Sequence, residues 1–588
     1  MEEFRFSPRP NRANEIHWRE WGKEAFEEAE SRDRPILLAI SAVWCHWCHV
    51  MDETSYSDPT VIDLLNREYI PIRVDNDRHP ELNQRYNMGG WPSTGFLTPG
   101  GDIMTGATYL PPEDMVSIAS QVLNYYRTRK EELYSRIQDQ QRSRAAVSTA
   151  PSTVPANAAA SVLEYLTRTY DSSYGGFGTE PKFPQADALE FLIEEYYRTG
   201  DNRLRTMVTT TLKNMASGGM FDHVAGGFFR YSTNRDWSVP HYEKMGEDNA
   251  ALLRLYLHAY QILDDPAFRS TAERIVDYVM EALWGPDTGA FFGSQDADEE
   301  YYQLEPEDRA RRDPPLVDRT VYTPWTASMA SSFLEAARVL DRPELQDVAL
   351  AALDFLWRVM NRENEGMLHY YDGEPRGSGL LTDQVSAMAG FLDAYEATGQ
   401  SLYLDRSLSL VRLILDRFRD PAGGFFDIWD AYQDLGHLEV RDKSIIENSL
   451  ASQGLLRLHY LVGDEEYRTA AQGALGVFGS DYLKFGPYAA SYARAAAWLQ
   501  EDPLRIEILG GPDVTGPWRE EALSSCRPRC LVQTLDPGQD AGLIDRLGLP
   551  SERAPAAYVC YHMTCSAPVE QVEDLPAAVE RLVSSRGK

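Results

Sequence analysis

The chain has 588 residues, 43% of them hydrophobic and 11% aromatic, enough apolar material for packed cores; a chain of this length implies about three to five domains. Its 57 basic against 90 acidic residues leave a net charge of −33, which argues against a nucleic-acid footprint or a basic membrane patch. No apolar run approaches the length of a membrane span, and Met1-Glu2-Glu3-Phe4 opens on acid where a signal peptide opens on base, so the expectation is a cytoplasmic protein with no nucleic-acid or membrane partner.

Residues 15–30, through Glu15-Ile16-His17-Trp18 and Trp21-Gly22-Lys23-Glu24-Ala25-Phe26, predict a helix carrying an apolar stripe. The apolar run Ile36-Leu37-Leu38-Ala39-Ile40 predicts a buried strand, and Trp44-Cys45-His46-Trp47-Cys48-His49 follows it at once. A helix is predicted over 50–66 and a second, parallel strand over Tyr69 to Asp75. Gly89-Gly90-Trp91-Pro92-Ser93-Thr94 then leads into the strand Gly95-Phe96-Leu97, which the Pro99-Gly100-Gly101 turn joins to a strand over 102–108 as a hairpin. A helix across 111–139 completes a layer order that matches a thioredoxin-like fold.

At a strand-to-helix junction, the unpaired N–H groups of the first helical turn stabilise a thiolate, the form that attacks disulfides or binds metals. A C-x-x-C in this setting therefore reads first as a redox site: Cys45 attacks, Cys48 resolves, and His46 adds positive character when protonated. Two other readings stand beside it. Cys45, Cys48 and one of His46 or His49 make a metal set one ligand short of a closed zinc site, and the pair is otherwise purely structural. Exchange also requires the sulfurs to be reachable and the Trp91–Pro92 segment to lie against them. Asp75-Asn76-Asp77-Arg78-His79 is either a metal or substrate loop or a solvated turn.

Residues 143–160, rich in Ala, Ser, Thr and Pro without a period, read as a linker. From there to about 500 the pattern is amphipathic helices broken by recurring glycine–aromatic loops. These are Tyr174-Gly175-Gly176-Phe177, Ala225-Gly226-Gly227-Phe228, Gly289-Ala290-Phe291, Gly366-Met367-Leu368-His369, Gly423-Gly424-Phe425 and Phe485-Gly486-Pro487-Tyr488. Six helix pairs that cannot bury their own apolar faces imply a closed (α/α)6 toroid, with an open solenoid as the alternative. Beyond 500, Leu504 to Leu509 and Ala556 to Tyr561 predict strands and 575–584 a helix, a small α/β piece packed on the toroid. The remaining cysteines, Cys526/Cys530 and Cys560/Cys565, are candidates for a four-cysteine site, for a relay from Cys45, or for ordinary buried thiols.

Within the toroid, one loop and the helix after it concentrate acids, a possible base and aromatics: Asp236-Trp237, His241-Tyr242-Glu243 and Asp248, with Asp296 from the next loop. Paired carboxylates suit glycosyl chemistry, a positioned His suits epimerisation beside a carbonyl, and aromatic rings stack on sugars. The plainer alternative is that these groups cap helices and satisfy loop backbone.

Cys45-His46-Trp47-Cys48-His49-Val50-Met51, Gly90-Trp91-Pro92, Tyr109-Leu110-Pro111, Pro181-Lys182-Phe183-Pro184, Phe228-Phe229-Arg230-Tyr231-Ser232 and Val239-Pro240-His241-Tyr242-Glu243-Lys244-Met245 together resemble the spermatogenesis-associated thioredoxin-domain family. The resemblance runs to Thr564-Cys565-Ser566-Ala567-Pro568. It implies a cis Pro92 beside the cysteines and a thioredoxin-like domain joined to a six-hairpin toroid of the kind found in N-acylglucosamine 2-epimerases. The chain departs from the pattern in a shorter N-terminus, a charged insert from Glu299 to Arg319, and Ile445-Ile446-Glu447-Asn448-Ser449 in place of a Pro-Ser-Gly-Asn-Ser-like stretch. The expected architecture is multidomain: an α/β thioredoxin-like domain over 1–142, a linker over 143–160, an all-α toroid over 161–500 and an α/β piece over 501–588. The expected function is thiol–disulfide redox chemistry at Cys45, Cys48, His46 and Pro92, with no metal or cofactor. Its partner is a protein disulfide, or a sugar-like molecule bound by Trp91, Asp236, Trp237, His241, Tyr242, Glu243, Asp248 and Asp296. A carbohydrate-active enzyme with an accessory thioredoxin-like domain and a non-enzymatic binding protein are the alternatives.

Overall fold

A computed structural model describes residues 6–145, 152–432, 434–562 and 564–585. In the N-terminal domain, α1 (Lys23–Arg32) precedes β1 (Ile36–Ser41), and α2 (His46–Glu53) and α3 (Pro59–Glu68) carry the chain to β2 (Ile70–Asp75), which pairs in parallel with β1. After α4 (Pro80–Tyr86), β3 (Ser93–Leu97) runs antiparallel to β1 and β4 (Ile103–Ala107) antiparallel to β3, giving the order β2-β1-β3-β4. Helices α5 (Pro112–Thr128) and α6 (Lys130–Ala145) follow.

Three predicted helices differ; the one expected across 111–139 breaks at Arg129, whose backbone leaves the helical conformation between α5 and α6. The 15–30 helix begins only at Lys23, because Arg19 is extended and bridges to Ile72 at the sheet edge. The 50–66 helix splits because Asp58, as N-cap, accepts from Thr60 N and Val61 N and Pro59 then starts a new helix. The middle of the predicted linker, 146–151, lies outside the described residues.

The helical domain has α7 (Ala158–Thr169), α8 (Ala186–Thr199), α9 (Asn202–Ser217), α10 (Gly246–Leu263) and α11 (Pro266–Tyr278). The charged insert folds as two short helices, α12 (Glu299–Tyr302) and α13 (Pro306–Arg309). Next come α14 (Thr323–Val339), α15 (Glu344–Phe355), α16 (Leu381–Thr398) and α17 (Ser401–Arg417), then α18 (Ile445–Val462), α19 (Glu465–Gly476) and α20 (Ala489–Gln500). Helices α8, α10, α14, α16, α18 and α20 pack neighbour to neighbour and α20 returns to α8, so the inner ring closes. Helices α9, α11, α15, α17, α19 and α7 pack behind it. This is an (α/α)6 toroid, and a closed ring excludes the open solenoid.

The glycine–aromatic loops recur because each is clamped in the same way. Asn249 at the start of α10 accepts from Phe228 N (2.7 Å) and donates to Phe228 O (3.0 Å). Asn448 does the same to Phe425 (2.7 and 2.9 Å), and Gln384 to Met367 (2.9 and 2.8 Å). Beneath two of these turns a lysine ammonium spans an aspartate and a glycine carbonyl: Lys244 to Asp222 (2.6 Å) and Gly226 O (2.8 Å), and Lys443 to Asp420 and Gly423 O (both 2.6 Å). Each clamp satisfies loop backbone groups that would otherwise be buried unpaired. Arg309 of the insert also reaches Asp222 (2.8 Å), which ties the insert to the same turn.

The C-terminal region repeats the N-terminal sheet plan. β5 (Leu504–Leu509), α21 (Pro512–Ser525) and β6 (Cys530–Leu535) form a parallel unit; after α22 (Ala541–Leu547), β7 (Ala556–Tyr561) and β8 (Thr564–Cys565) add antiparallel strands, in the order β6-β5-β7-β8. Helix α23 (Leu575–Ser585) closes the chain. The small α/β piece is thus a second sheet of the same order and strand directions.

The toroid lies between the two sheets. The N-terminal domain covers the end where the inner helices start: one face of its sheet, with Phe26, Ile40, Ile72, Leu82 and Tyr86, forms a single core with Leu380, Ile428 and Leu438 of the toroid. Beside that core, Arg85 makes a bidentate pair with Asp427 (2.7 and 3.2 Å), both side chains being almost fully buried. Removing one partner of such a pair costs about 3–5 kcal/mol, because the other charge is left buried and alone. Arg85→Ala is therefore expected to loosen the N-terminal domain on the toroid. In the reduced protein, iodoacetamide should alkylate Cys45 at least about tenfold faster than in the wild type while far-UV circular dichroism stays the same; an unchanged alkylation rate would refute this role of the pair.

Candidate functional site

Cys45 is the N-cap of α2, and its Sγ accepts from Cys48 N at 3.2 Å, so the sulfur sits at the positive end of the helix. Cys45 and Cys48 are paired as a disulfide. The Trp91–Pro92 bond is cis, and Trp91 packs on the cluster of Ala42, Val43, Trp44, Cys45 and Cys48. That cluster is completed from the toroid by Met245 and Trp325. Within it Cys45 is 4% and Cys48 2% exposed. Trp91 does belong to the cysteine cluster, but the sulfurs are largely covered, within a cluster that residues of both domains make up.

His46 flanks the pair with its ring edge on Trp47 (5.7 Å), whose indole is 46% exposed. His49 is turned away to the Val43 carbonyl (2.9 Å). Among the described residues no group of three or more His, Cys, Asp or Glu is arranged to hold a metal ion. Cys526–Cys530 and Cys560–Cys565 form two separate local disulfides in the C-terminal sheet, at the other end of the toroid from Cys45.

Arg230 joins the two domains. Its guanidinium lies over Trp44 (4.4 Å) and Trp91 (4.9 Å), and the same charge acts on Glu247 and Asp248 at the start of α10. Glu247 is solvent-exposed at the first turn of α10, on the side of the toroid that faces the cysteine domain. Burial raises its pKa, against the pull of Arg230 and a hydrogen bond from Trp325. Burial, with Glu247 as a neighbouring negative charge, raises Asp248 to about 7. From the N-terminal domain, Asp77 takes the Trp44 indole N–H at 2.6 Å, and burial and Asp75 hold its carboxyl well above the usual range.

The wall continues past Asp77. His369 donates to the Asp77 carbonyl (2.7 Å) and pairs with Asp383 (2.8 Å). Burial opposes its charge, but Asp383 outweighs it and lifts His369 to about 9. Glu447, at the start of α18, is pushed up to about 8 by burial and by Asp427 and Asp383. The inner helices thus present an acid-rich rim to the cysteine domain, on which several carboxyls hold protons at neutral pH.

The residues singled out in the sequence divide. His241 binds Glu243 (2.7 Å) and stacks on Tyr231 (4.8 Å), and Glu243 acts on Asp248, so these three and Arg230 form one wall. Tyr242 stacks on Tyr302 of the insert (5.8 Å). Asp296 is buried beside the short strand Ser294–Gln295, which pairs with Lys244–Met245. Asp236 is exposed and caps its own turn through Ser238 (2.6 Å). Trp237 is fully buried, with its indole donating to Tyr174 O (2.9 Å), so no ring face is left for a ligand. Sequence reasoning missed Glu247, His369, Asp383 and Trp325 as wall residues. The available signal was their position: His369 in a glycine–aromatic loop, and the others in the first turn of an inner helix.

Fold and site define a class: a thioredoxin-like domain with a C-x-x-C seated on the mouth of an (α/α)6 toroid. Within that class, residues 9–144 match the family model Thioredox_DsbH, described as a protein of unknown function, DUF255. The chain is 27% identical to spermatogenesis-associated protein 20 of Mus musculus over 95% of its own length and 88% of that protein, so the family resemblance extends through both further domains. A stretch of 17% of the chain is 32% identical to thiol:disulfide interchange protein DsbD 1 of Pseudomonas aeruginosa, 17% of which it covers. Among solved structures, a sugar epimerase from a ruminal bacterium matches 55% of the chain and 84% of its own length at 14% identity, with a TM-score of 0.45. No described helix is long and apolar enough to cross a membrane.

Asp248 keeps its proton in the fold at pH values where the unfolded chain has released it. It therefore subtracts from stability as pH rises from about 4 through 7. Asp248→Asn is expected to stabilise the protein at pH 8 by about 2 kcal/mol and to change little at pH 4. Calorimetry at the two pH values checks this; an equal effect at both would show that Asp248 is ionised in the fold.

Proposed function

We propose that the chain is a thiol–disulfide redox protein whose Cys45–Cys48 couple serves the recess between the cysteine domain and the toroid mouth. The observation that carries this reading is the shared cluster: Met245 and Trp325 of the toroid belong to the same apolar cluster as the two cysteines. In the exchange step the Cys45 thiolate attacks a substrate disulfide, forming a mixed disulfide and releasing one substrate thiolate. Cys48, as thiolate, then attacks Cys45 Sγ, releasing the second thiolate and leaving Cys45–Cys48 oxidised. Two electrons pass from the dithiol to the substrate, and the released thiolates take up protons. With Cys45 at 4% exposure, the reading favours a small disulfide or thiol that enters the recess over a folded protein partner.

In the reduced protein, Cys48→Ser is expected to trap a mixed disulfide at Cys45 with oxidised glutathione, visible as a mass increment on the peptide containing Cys45. Cys45→Ser should slow exchange at this site by at least about 100-fold. Equal exchange in Cys45→Ser would remove the redox assignment.

The protonated carboxyls favour a second reading, a carbohydrate-active enzyme of epimerase or hydrolase type. A carboxyl that holds its proton near pH 7, as Asp248 does, suits a general acid. The His241–Glu243 pair, with Glu243 orienting the ring, suits a base beside a sugar carbonyl. If a sugar-isomer assay detects turnover, His241→Ala is expected to lower kcat by about 100-fold or more; unchanged kcat would exclude His241 as the base.

A further inference from the structure

At the end of the toroid remote from Cys45, the inner helices finish beneath the C-terminal sheet and leave a cavity of about 690 Å³. The cap is held there by hydrogen bonds to the helix ends: Gln533 to Leu461 O (3.0 Å), Arg546 to Val462 O (3.0 Å) and Arg519 to Ala397 O (3.0 Å). The cavity belongs to neither the cysteine pair nor the acid-rich rim, and its charge is of the opposite sign.

Most of the charges in its wall cancel in pairs. Arg457 binds Asp393 (2.7 Å) and Glu396 (2.6 Å), Arg254 binds Asp393 (2.8 Å), and Arg494 binds Glu194 (2.8 Å). His258 sits between Glu190 (2.8 Å) and Glu335 (2.9 Å); burial opposes its charge, but the two carboxylates raise it to about 10. Three guanidiniums are left over. Among the described residues Arg519 and Arg527 have only backbone carbonyls as hydrogen-bond partners, and Arg338 shares Glu335, already engaged by His258, at 3.5 Å. Burial depresses the pKa of both Arg338 and Arg519; for Arg338 the nearby Arg527 adds to the effect. Glu520, also in the wall, acts on Arg519 in the opposite sense without reversing the effect of burial. Arg527 lies in the five-residue ring closed by Cys526–Cys530, which restricts where its guanidinium can go.

We propose that this cavity is a binding site for a phosphate-bearing small molecule. A single carboxylate engages one guanidinium fork, whereas a phosphate offers three oxygens at tetrahedral angles and can take several forks at once. Trp498, Ile262, Leu334 and Leu523 supply apolar wall for an organic body attached to the phosphate. The volume lies within the range of small-ligand pockets, about 300–1,000 Å³.

The test is calorimetric titration of the full chain with inorganic phosphate, glucose 6-phosphate and glucose, repeated on Arg519→Gln and Arg527→Gln. Saturable binding of glucose 6-phosphate that each substitution weakens by about tenfold or more supports the site. Tighter binding of the ester than of inorganic phosphate identifies an organic phosphate as the occupant, and equal binding identifies free phosphate. Glucose that binds independently of both substitutions belongs to the other mouth and leaves the phosphate arms to decide. No saturable phosphate binding at millimolar concentration, or binding unchanged in both variants, would overturn the proposal. The cysteine couple takes no part in these readouts, so their failure is distinct from failure of the redox reading.

Discussion

The thioredoxin-like sheet of this protein does not close its own core. One face is finished by Leu380, Ile428 and Leu438 of the toroid, and the Arg85–Asp427 pair fixes the register of that contact. Apolar burial holds the two domains together without specifying direction, while a buried bidentate pair tolerates only one geometry. Everything at the site follows from that seat. It brings Met245 and Trp325 into the cysteine cluster, places Arg230 against Trp44 and Trp91, and brings Asp77 within reach of His369.

Once the mouth is covered, water is partly excluded from a rim that carries several close carboxyls. Close, desolvated carboxylates cannot all remain ionised, so Asp77, Glu247, Asp248 and Glu447 are shifted toward their neutral forms. Positive charge reaches the rim at Arg230 and His369, each beside a residue of the cysteine domain. The recess is thus a place where proton transfer and sulfur chemistry meet. At the opposite end the balance reverses, with guanidiniums in excess under a second sheet of the same plan.

Much of this was legible along the chain. The strand before Cys45, the parallel partner strand and the Pro99–Gly101 hairpin are local patterns of hydrophobicity and turn chemistry, and the structure reproduces them. The toroid was readable from its repeating glycine–aromatic loops, because each repeat needs the same clamp between a turn and the next helix. Less legible were the break at Asp58–Pro59, where a cap competes with helix periodicity, and the extended chain at Arg19, where pairing to β2 overrides an amphipathic stripe. Trp237 illustrates the limit for sites: an aromatic in an acidic loop looks like a ligand platform until its burial is known.

By itself the sequence determined the elements, the number of helical pairs, the place of Cys45 at a helix start and the excess of acid, because these depend on neighbours a few residues apart. Only the tertiary structure decided that the cysteines face the toroid, which carboxyls keep protons, and that the cap repeats the first sheet around a basic cavity. Those properties arise from desolvation and from charges brought together across hundreds of residues, and no local pattern encodes them.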